Sequence, residues 1–383
     1  MTEPATTQHT ATIPAQPGPR DAADAAGSGQ EEGTVPIREG DTGGAGTPTS
    51  GSGARGREGR ERQAAAGSVN PGAGPAAAGS VIPGAGPAAP RPGERATLRL
   101  RETGPEEPPR YAPEWLQLRE PADAEARAHE LLDPLRIRLA NQPRRSEGLV
   151  VHDIGCGTGS MGRWLAPHLD GAQHWILHDR DPYLLHFAAV ASPRSSADGS
   201  RVTVETRRGD VARLTPDALA GASLVTASAL LDVLTREDVD ALAAACAGAG
   251  CPALLTLSVA GRVELTAPHA MDQEITEAFN AHQRRGGLLG PDAATVAAEA
   301  FAARGATVRL HPSPWRLGPE QAALTEQWLR GWVGAAVEER PELKERAEAY
   351  LTERLEACEA GELRVVVHHT DLLALCRPSG GAA

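Results

Sequence analysis

From Gly148 onward, short apolar runs alternate with stretches of helical periodicity. "GLVVHDI" is rich in β-formers and ends at a glycine loop, and "SMGRWLAPHL" then reads as a helix. "QHWILHD" and "DPYLLHFAAVA" repeat the strand-then-helix order. "RVTVETR", with Val202 and Val204 two apart, predicts a third strand. "ASLVTAS" predicts a fourth, the helix "REDVDALAAACAG" follows, and "PALLTLSV" is a fifth strand. Strands alternating with helices predict a parallel sheet covered on both faces. "GATVRL" and "ELRVVVHHTDLLAL" are two further strands, separated by helical sequence from Pro319 to Glu359. Along the last strand Arg364, Val366 and His368 alternate with Val365, Val367 and His369. Upstream, "PEWLQLREPADAEARAHELLDPLRIRLA" reads as one or two helices. Leu131, Leu132, Leu135 and Leu139 recur at helical spacing, and Asp123 after Pro121 reads as a cap.

This patterning fails over residues 1–96, which are rich in Gly, Pro, Ala, Ser and Thr. A tandem repeat, "GSVNPGAGPAAA" then "GSVIPGAGPAAP", runs from Gly67 to Pro90 and is too short for a solenoid unit. With almost no bulky apolar side chains, the segment has little to offset the entropy of ordering, so a disordered tail is expected. The expected folded domain is 97–383, with a helical insertion at about 319–359.

Composition narrows the class. The 383 residues are 40% hydrophobic but only 3% aromatic, so the core is built from Leu, Val and Ala. The formal charge of −12 is a poor match for the nucleic-acid backbone or an anionic membrane, both of which call for a basic surface. Five cysteines, Cys156, Cys246, Cys251, Cys358 and Cys376, show no zinc spacing and fit reduced thiols. The start "MTEPATTQHT" has no basic and apolar signal pattern, and no apolar run is long enough to span a bilayer. A soluble, cytoplasmic protein is expected.

The glycine loop carries two overlapping signals. Gly157-Thr-Gly159-Ser-Met-Gly162 is a G-x-G-x-x-G, the dinucleotide fingerprint. Asp153-Ile-Gly155-Cys156-Gly157-Thr-Gly159 points to a different ligand. Glycines in such a loop let the backbone approach a ligand where a Cβ would clash. Asp153 would repel a pyrophosphate and suits a ligand carrying an ammonium and a sulfonium. At about 4 Å that difference is worth several kcal/mol at an effective dielectric near 20, before desolvation. Asp153 is also open to a plain role capping loop amides. Asp179, at the end of the second strand, is placed to accept ribose hydroxyls, which nicotinamide and sulfonium cofactors share. Asp181, ahead of Pro182, reads as a helix cap. Asp210 after the third strand is either a turn residue or an acceptor for an adenine amino group.

In order and spacing, "VHDIGCGTGS", "ILHDRDPYLL", "RRGDVARL" and "LVTASALLDVL" resemble the successive motifs of class I S-adenosylmethionine-dependent methyltransferases. The resemblance runs from Trp115 to Arg377 and is strongest from Val150 to Leu234. It implies a Rossmann-like, seven-stranded, mostly parallel α/β sheet with an antiparallel last strand and S-adenosylmethionine as cofactor. It implies that Gly155, Cys156, Gly157 and Gly159 wrap the methionine part and that Asp179, with Arg180 beside it, holds the ribose. Asp210 and Val211 would face the adenine, and Ser228 to Leu230 would lie beneath the sulfonium. Gly162 is then a helical residue where the sheet is close.

The chemistry to be catalysed is in-line displacement, which needs the acceptor atom held at about 3–3.5 Å from the methyl carbon. A general base helps only an acceptor that holds a proton. "SALLDVL" is not the motif of enzymes that methylate nucleobase amino groups, so a small-molecule acceptor is expected. Asp232 is open to three roles: base, partner of a cationic acceptor, or helix cap. His269, Asn280 and His282 are substrate-side candidates from the segment after strand five, each with packing as the plainer role. So are Trp315 and Trp332; Trp328 and Trp332 stand i, i+4 on one helical face, where core packing competes with flooring a pocket. His174 with His178, and His368 with His369, lack ligand spacing with a carboxylate, so no metal is expected. Two other classes remain. A nicotinamide-dependent oxidoreductase would read the same glycines but finds no Tyr-x-x-x-Lys, since Lys344 is the only lysine. A catalytically inactive module would keep the cofactor fold.

Overall fold

The computed structural model describes residues 112–142, 148–209 and 214–377. The expected tail, residues 1–96, and the candidates Asp210 and Val211 lie outside the described residues. The first helices are α1 (Pro113–Ala126) and α2 (Leu132–Ala140). Next come β1 (Leu149–Ile154), α3 (Ser160–Leu165), β2 (Gln173–Asp179), α4 (Pro182–Val190), β3 (Val202–Arg208) and β4 (Leu224–Ser228). Then follow α5 (Arg236–Ala249), β5 (Ala253–Leu265), α6 (Met271–Gln283), α7 (Ala293–Ala303), β6 (Thr307–Pro312) and β7 (Trp315–Leu317). The last elements are α8 (Ala322–Glu339), α9 (Lys344–Glu359) and β8 (Val365–Leu375).

The strands form one sheet in the order β3-β2-β1-β4-β5-β8-β6, with β7 pairing β8 off this path. Strands β1 to β5 pair in parallel, and β8 runs antiparallel between β5 and β6. The expected seven strands are present; the eighth, β7, is a three-residue extension that adds to β8 at Val365–Val367. Its signal was hidden in "WRL", too short to show an alternation.

Alternation along the strands divides the core between two faces. Val151, Trp175, Leu177, Leu254 and Leu373 pack with Leu135, Leu165 and Ala188 of α2, α3 and α4. Ile154, Val225, Leu255 and Leu372 pack with Leu242, Cys246 and Phe301 of α5 and α7. A third cluster lies among α1, α6, α8 and α9 and contains Trp115, Phe279, Trp315, Trp328, Trp332 and Tyr350. Local chemistry sets the helix ends. Thr235 and Asp238 form a reciprocal capping box on α5, which ends at Gly250 in the left-handed region. Asp181 accepts from Tyr183 N at 2.9 Å and caps α4, with Pro182 in the first turn. Gly162 packs as expected: a Cβ there would stand 3.5 Å from the ring of Trp175 on β2.

Two local expectations are corrected. Asp123 is not a cap but lies inside α1, because Pro121 is accommodated within that helix. Its carboxylate instead takes a bidentate pair from Arg119 and the Trp315 indole N–H at 2.9 Å. Asp232 does not cap α5, because Thr235 does.

Candidate functional site

Gly155, Gly157 and Gly159 all adopt positive φ, at 62°, 55° and 85°. The chain leaves β1 and turns sharply here to start α3, and only glycine takes this conformation cheaply. Space is short as well. A Cβ on Gly155 would come within 2.9 Å of Leu230, and one on Gly157 within 3.3 Å of Leu116 from α1. Cys156 N–H donates to His178 O at 2.9 Å, and Gly159 N–H to Cys156 O at 2.8 Å. The Cys156 thiol is buried and its pKa is pushed up by that burial, so it stays protonated.

The acids divide their tasks differently from the plain reading of the sequence. Asp153 caps no loop amide. It is fully buried at the end of β1, and its Oδ1 accepts from Thr226 Oγ1 on β4 at 2.8 Å. Its Oδ2 has no hydrogen-bond partner, and burial pushes its pKa up to about 7. The loop amide belongs to Asp179, whose Oδ2 accepts from Gly157 N at 2.9 Å while Oδ1 accepts from Asp181 N at 2.9 Å. Burial raises Asp179 while these two amides pull it back. Arg180 is exposed next to it, and its carbonyl accepts from Arg208 Nε at 3.2 Å.

Arg127, which the sequence reading passed over, enters the same place from the link between α1 and α2. It is 1% exposed. Its Nη2 donates to Ser228 Oγ at 3.0 Å, at the end of β4, and to Ser160 Oγ at 3.3 Å, at the start of α3. The guanidinium lies 5.4 Å from the Trp164 ring centroid, within cation–π range. Nε and Nη1 have no partner. Burial pulls the Arg127 pKa below its ordinary value, opposed by Asp123, Asp371 and Asp153 among its neighbours. Leaving a buried charged group incompletely paired is costly, which makes Asp153 and Arg127 candidate binding groups.

Beyond Ser228, Ala229 holds a left-handed φ of 50°. That is uncommon for a residue with a Cβ and clusters at functional sites. Leu230 follows, against Gly155, and then Asp232 in a short 3-10 turn. Asp232 is fully buried, neither of its oxygens has a hydrogen-bond partner on another residue, and burial pushes its pKa up to about 6.

The substrate-side candidates do not form one group. Asn280 on α6 donates to Gly261 O of β5 at 3.3 Å and leaves Oδ1 unpaired. Trp332 stacks on Trp328, with centroids 5.0 Å apart at 15°. Trp315 carries the Arg119 guanidinium over its ring at 4.9 Å. His269 is drawn into the start of α6: its Nδ1 accepts from Met271 N at 3.0 Å, and its ring packs against Tyr350 of α9. His282 faces Glu338 of α8, Nε2 to Oε2 at 3.2 Å. Helix α1 ties this helical layer to the loop. Leu116 lies over Gly157, and Glu120 pairs with Arg163 of α3. His152 and His178 touch at 3.1 Å, and burial lowers both to about 4. Among the described residues no group of three His, Cys, Asp or Glu side chains is placed to hold a metal, and no helix is long and apolar enough to cross a membrane.

Residues 151–250 match the protein family described as a methyltransferase domain. The matched stretch runs from β1 to the end of α5. No curated protein matches the chain. Among solved structures it is similar to the cyclopropane synthase MmaA2 from Mycobacterium tuberculosis, at 14% identity over 69% of this chain and 94% of that one, with a TM-score of 0.36. It is similar to phosphoethanolamine N-methyltransferase 2 from Haemonchus contortus, at 14% identity over 70% and 59% of the two chains, TM-score 0.36. It is also similar to an S-adenosylmethionine-dependent methyltransferase from Geobacter sulfurreducens, at 16% identity over 68% and 98%, TM-score 0.34.

Proposed function

We propose that the domain transfers a methyl group from S-adenosylmethionine to a small-molecule acceptor in the cytoplasm. The observation that carries this is the pair Asp153 and Arg127. Two buried groups of opposite charge flank one glycine loop, and each keeps polar atoms without a partner. An amino-acid zwitterion complements both, ammonium to Asp153 and carboxylate to Arg127. A pyrophosphate complements only the cation and is repelled by the acid.

When bound, S-adenosylmethionine supplies a methyl group already activated by a positively charged sulfur. The protein's part is to bind and align. Gly155, Cys156, Gly157 and Gly159 let the backbone approach the methionine part, with Ser228 holding Arg127 in place. Asp179 presents a carboxylate fixed by two amides, and each of its oxygens keeps lone-pair capacity for a ribose hydroxyl. Arg180 borders that position, and Asp210 and Val211 are assigned to the adenine side by the resemblance. Asp232 is the candidate base: it is buried near the carboxyl edge of β4, and its raised pKa suits proton acceptance near neutral pH. Asn280 and Trp332 belong to the helical layer assigned to the acceptor, with Trp315 of β7 packed in the same cluster, whereas His269 and His282 have structural partners there. We assign this unit to residues 97–383, with residues 1–96 as a separate tail. All five cysteines are buried free thiols, which supports a reducing compartment.

Calorimetric titration with S-adenosylhomocysteine and, separately, NADH tests the reading. Selective binding of S-adenosylhomocysteine is expected. Binding of NADH alone overturns it.

A further inference from the structure

Arg127 is gripped at both ends. At its tip, Nη2 donates to Ser160 and Ser228. At its root, two successive backbone amides fix the chain as it leaves α1. The Arg127 N–H donates to Asp123 O at 3.1 Å, and the Ala128 N–H donates to Asp371 Oδ2 at 2.8 Å. The second bond fixes the peptide plane that follows Arg127, whose own backbone has left the helix at φ −57° and ψ 134°. A planar peptide leaves only φ and ψ free, so the two amides together set the direction in which the Arg127 side chain departs.

Asp371 reaches this link from β8, 243 residues further along the chain, so only the fold brings the two together. It is 1% exposed. Its other oxygen, Oδ1, accepts from the Leu257 N–H at 2.7 Å and from Ser313 Oγ at 2.5 Å. Leu257 holds a left-handed φ of 57° where β5 slips its register against β8, between Leu255 and Ser258. Such a conformation in a residue with a branched side chain persists only where its surroundings over-determine it. Ser313 lies just beyond β6 and is fully buried. Burial raises the Asp371 pKa, while these donors and the Arg127 charge pull it back. All three partners are donors, an arrangement that suits the carboxylate and not the acid, which would itself need an acceptor.

On the reading of Asp153 and Arg127 as the amino-acid end of the cofactor site, we propose that Asp371 is the positioning residue that aims the Arg127 guanidinium at the carboxylate of the bound ligand. It touches no ligand itself. It acts through the Ala128 amide, tying the link between α1 and α2 to the left-handed turn of β5 and to the end of β6. The carboxylate-binding group thus takes its direction from the antiparallel side of the sheet, away from the glycine loop. An acid with a plain packing role needs only Leu257 and Ser313; the bond to Ala128 is the one those two do not require.

The test titrates the full chain with S-adenosylhomocysteine and with 5′-methylthioadenosine, which lacks the amino-acid end. Asp371→Asn keeps the shape but only one acceptor oxygen. That oxygen stays with the two donors Leu257 and Ser313, which turns the side-chain NH₂ toward the Ala128 N–H, donor against donor. S-adenosylhomocysteine affinity is expected to fall by about tenfold or more, and that of 5′-methylthioadenosine to stay within about twofold. In an Arg127→Met background the same substitution is expected to cost less than about twofold, because the two residues act as one unit. Ser313→Ala removes one donor but leaves the Ala128 bond, and is expected to keep S-adenosylhomocysteine affinity within about twofold. If Asp371→Asn fails to fold, replacing the Ala128 amide by the lactate ester deletes that single N–H and leaves every side chain in place; the same selective loss is expected. Equal losses for the two ligands, an unchanged S-adenosylhomocysteine affinity, or a full further loss in the Arg127→Met background overturns the proposal. Failure of the unsubstituted chain to bind S-adenosylhomocysteine overturns the cofactor reading instead, so the two failures are distinguishable.

Discussion

Gly157 and Asp179 are joined across the carboxyl edge of the sheet: the Gly157 N–H donates to Asp179 Oδ2 at 2.9 Å. The residue assigned to the ribose therefore also holds the glycine loop in its left-handed course. Asp179→Ala is expected to lose both functions. Removing a hydrogen bond to a charged group costs about 1.5–3 kcal/mol, or roughly 10- to 100-fold in affinity. Calorimetry with S-adenosylhomocysteine measures it, and an affinity unchanged by the substitution would count against the assignment.

Arg127→Met removes the guanidinium but keeps an unbranched side chain. S-adenosylhomocysteine affinity is expected to fall by about tenfold or more, since a charge-assisted contact is lost. Binding of 5′-methylthioadenosine, which has no carboxylate, is expected to stay as it is. An equal loss for both ligands would mean that Arg127 only supports the fold.

The pH dependence of binding follows from Asp153. Its pKa of about 7 in the free protein means the carboxylate is mostly ionised at pH 8 and mostly protonated at pH 6. Only the ionised form attracts an ammonium, so S-adenosylhomocysteine binding strengthens as pH rises and weakens as pH falls through 7. The expected change is about tenfold between pH 8 and pH 6, one pKa unit corresponding to about 1.4 kcal/mol. Asp153→Asn is expected to bind weakly at both pH values and to flatten the profile. A steep profile in that variant would assign the titration to another group.

Glu120 and Arg163 join α1 to α3 through two hydrogen bonds, at 2.6 and 2.5 Å, and are each about a quarter exposed. Solvent screening limits such a pair to under about 1 kcal/mol. Glu120→Gln is expected to shift the thermal midpoint little but to speed hydrogen exchange along α1, which lies over the loop at Leu116. Unchanged exchange would mean that apolar packing alone holds α1.

The order of strands was legible because each carries its own period-2 or fully apolar run, as "QHWILHD" and "LVTAS" do. The glycine loop was legible because its conformation demands glycine at fixed spacing. Asp181 as a cap followed from its place before Pro182. What stayed hidden was tertiary. Arg127 sits in "AEARAHE", where nothing local separates a buried arginine from a surface one; its role exists only because Ser160 and Ser228 are folded beside it. The exchange of roles between Asp153 and Asp179 depends on which carboxylate reaches the Gly157 amide, a matter of side-chain reach across two strands. Arg119 and Asp123 did leave a trace, as an i, i+4 pair of opposite charges on the same face as Trp115.

A crystal structure of the protein bound to S-adenosylhomocysteine tests these assignments together. The ligand's ammonium is expected at Asp153 Oδ2, its carboxylate at Arg127 Nε and Nη1, and its ribose hydroxyls at Asp179. A ligand seated elsewhere, or with its amino-acid end turned away from both Asp153 and Arg127, would contradict them.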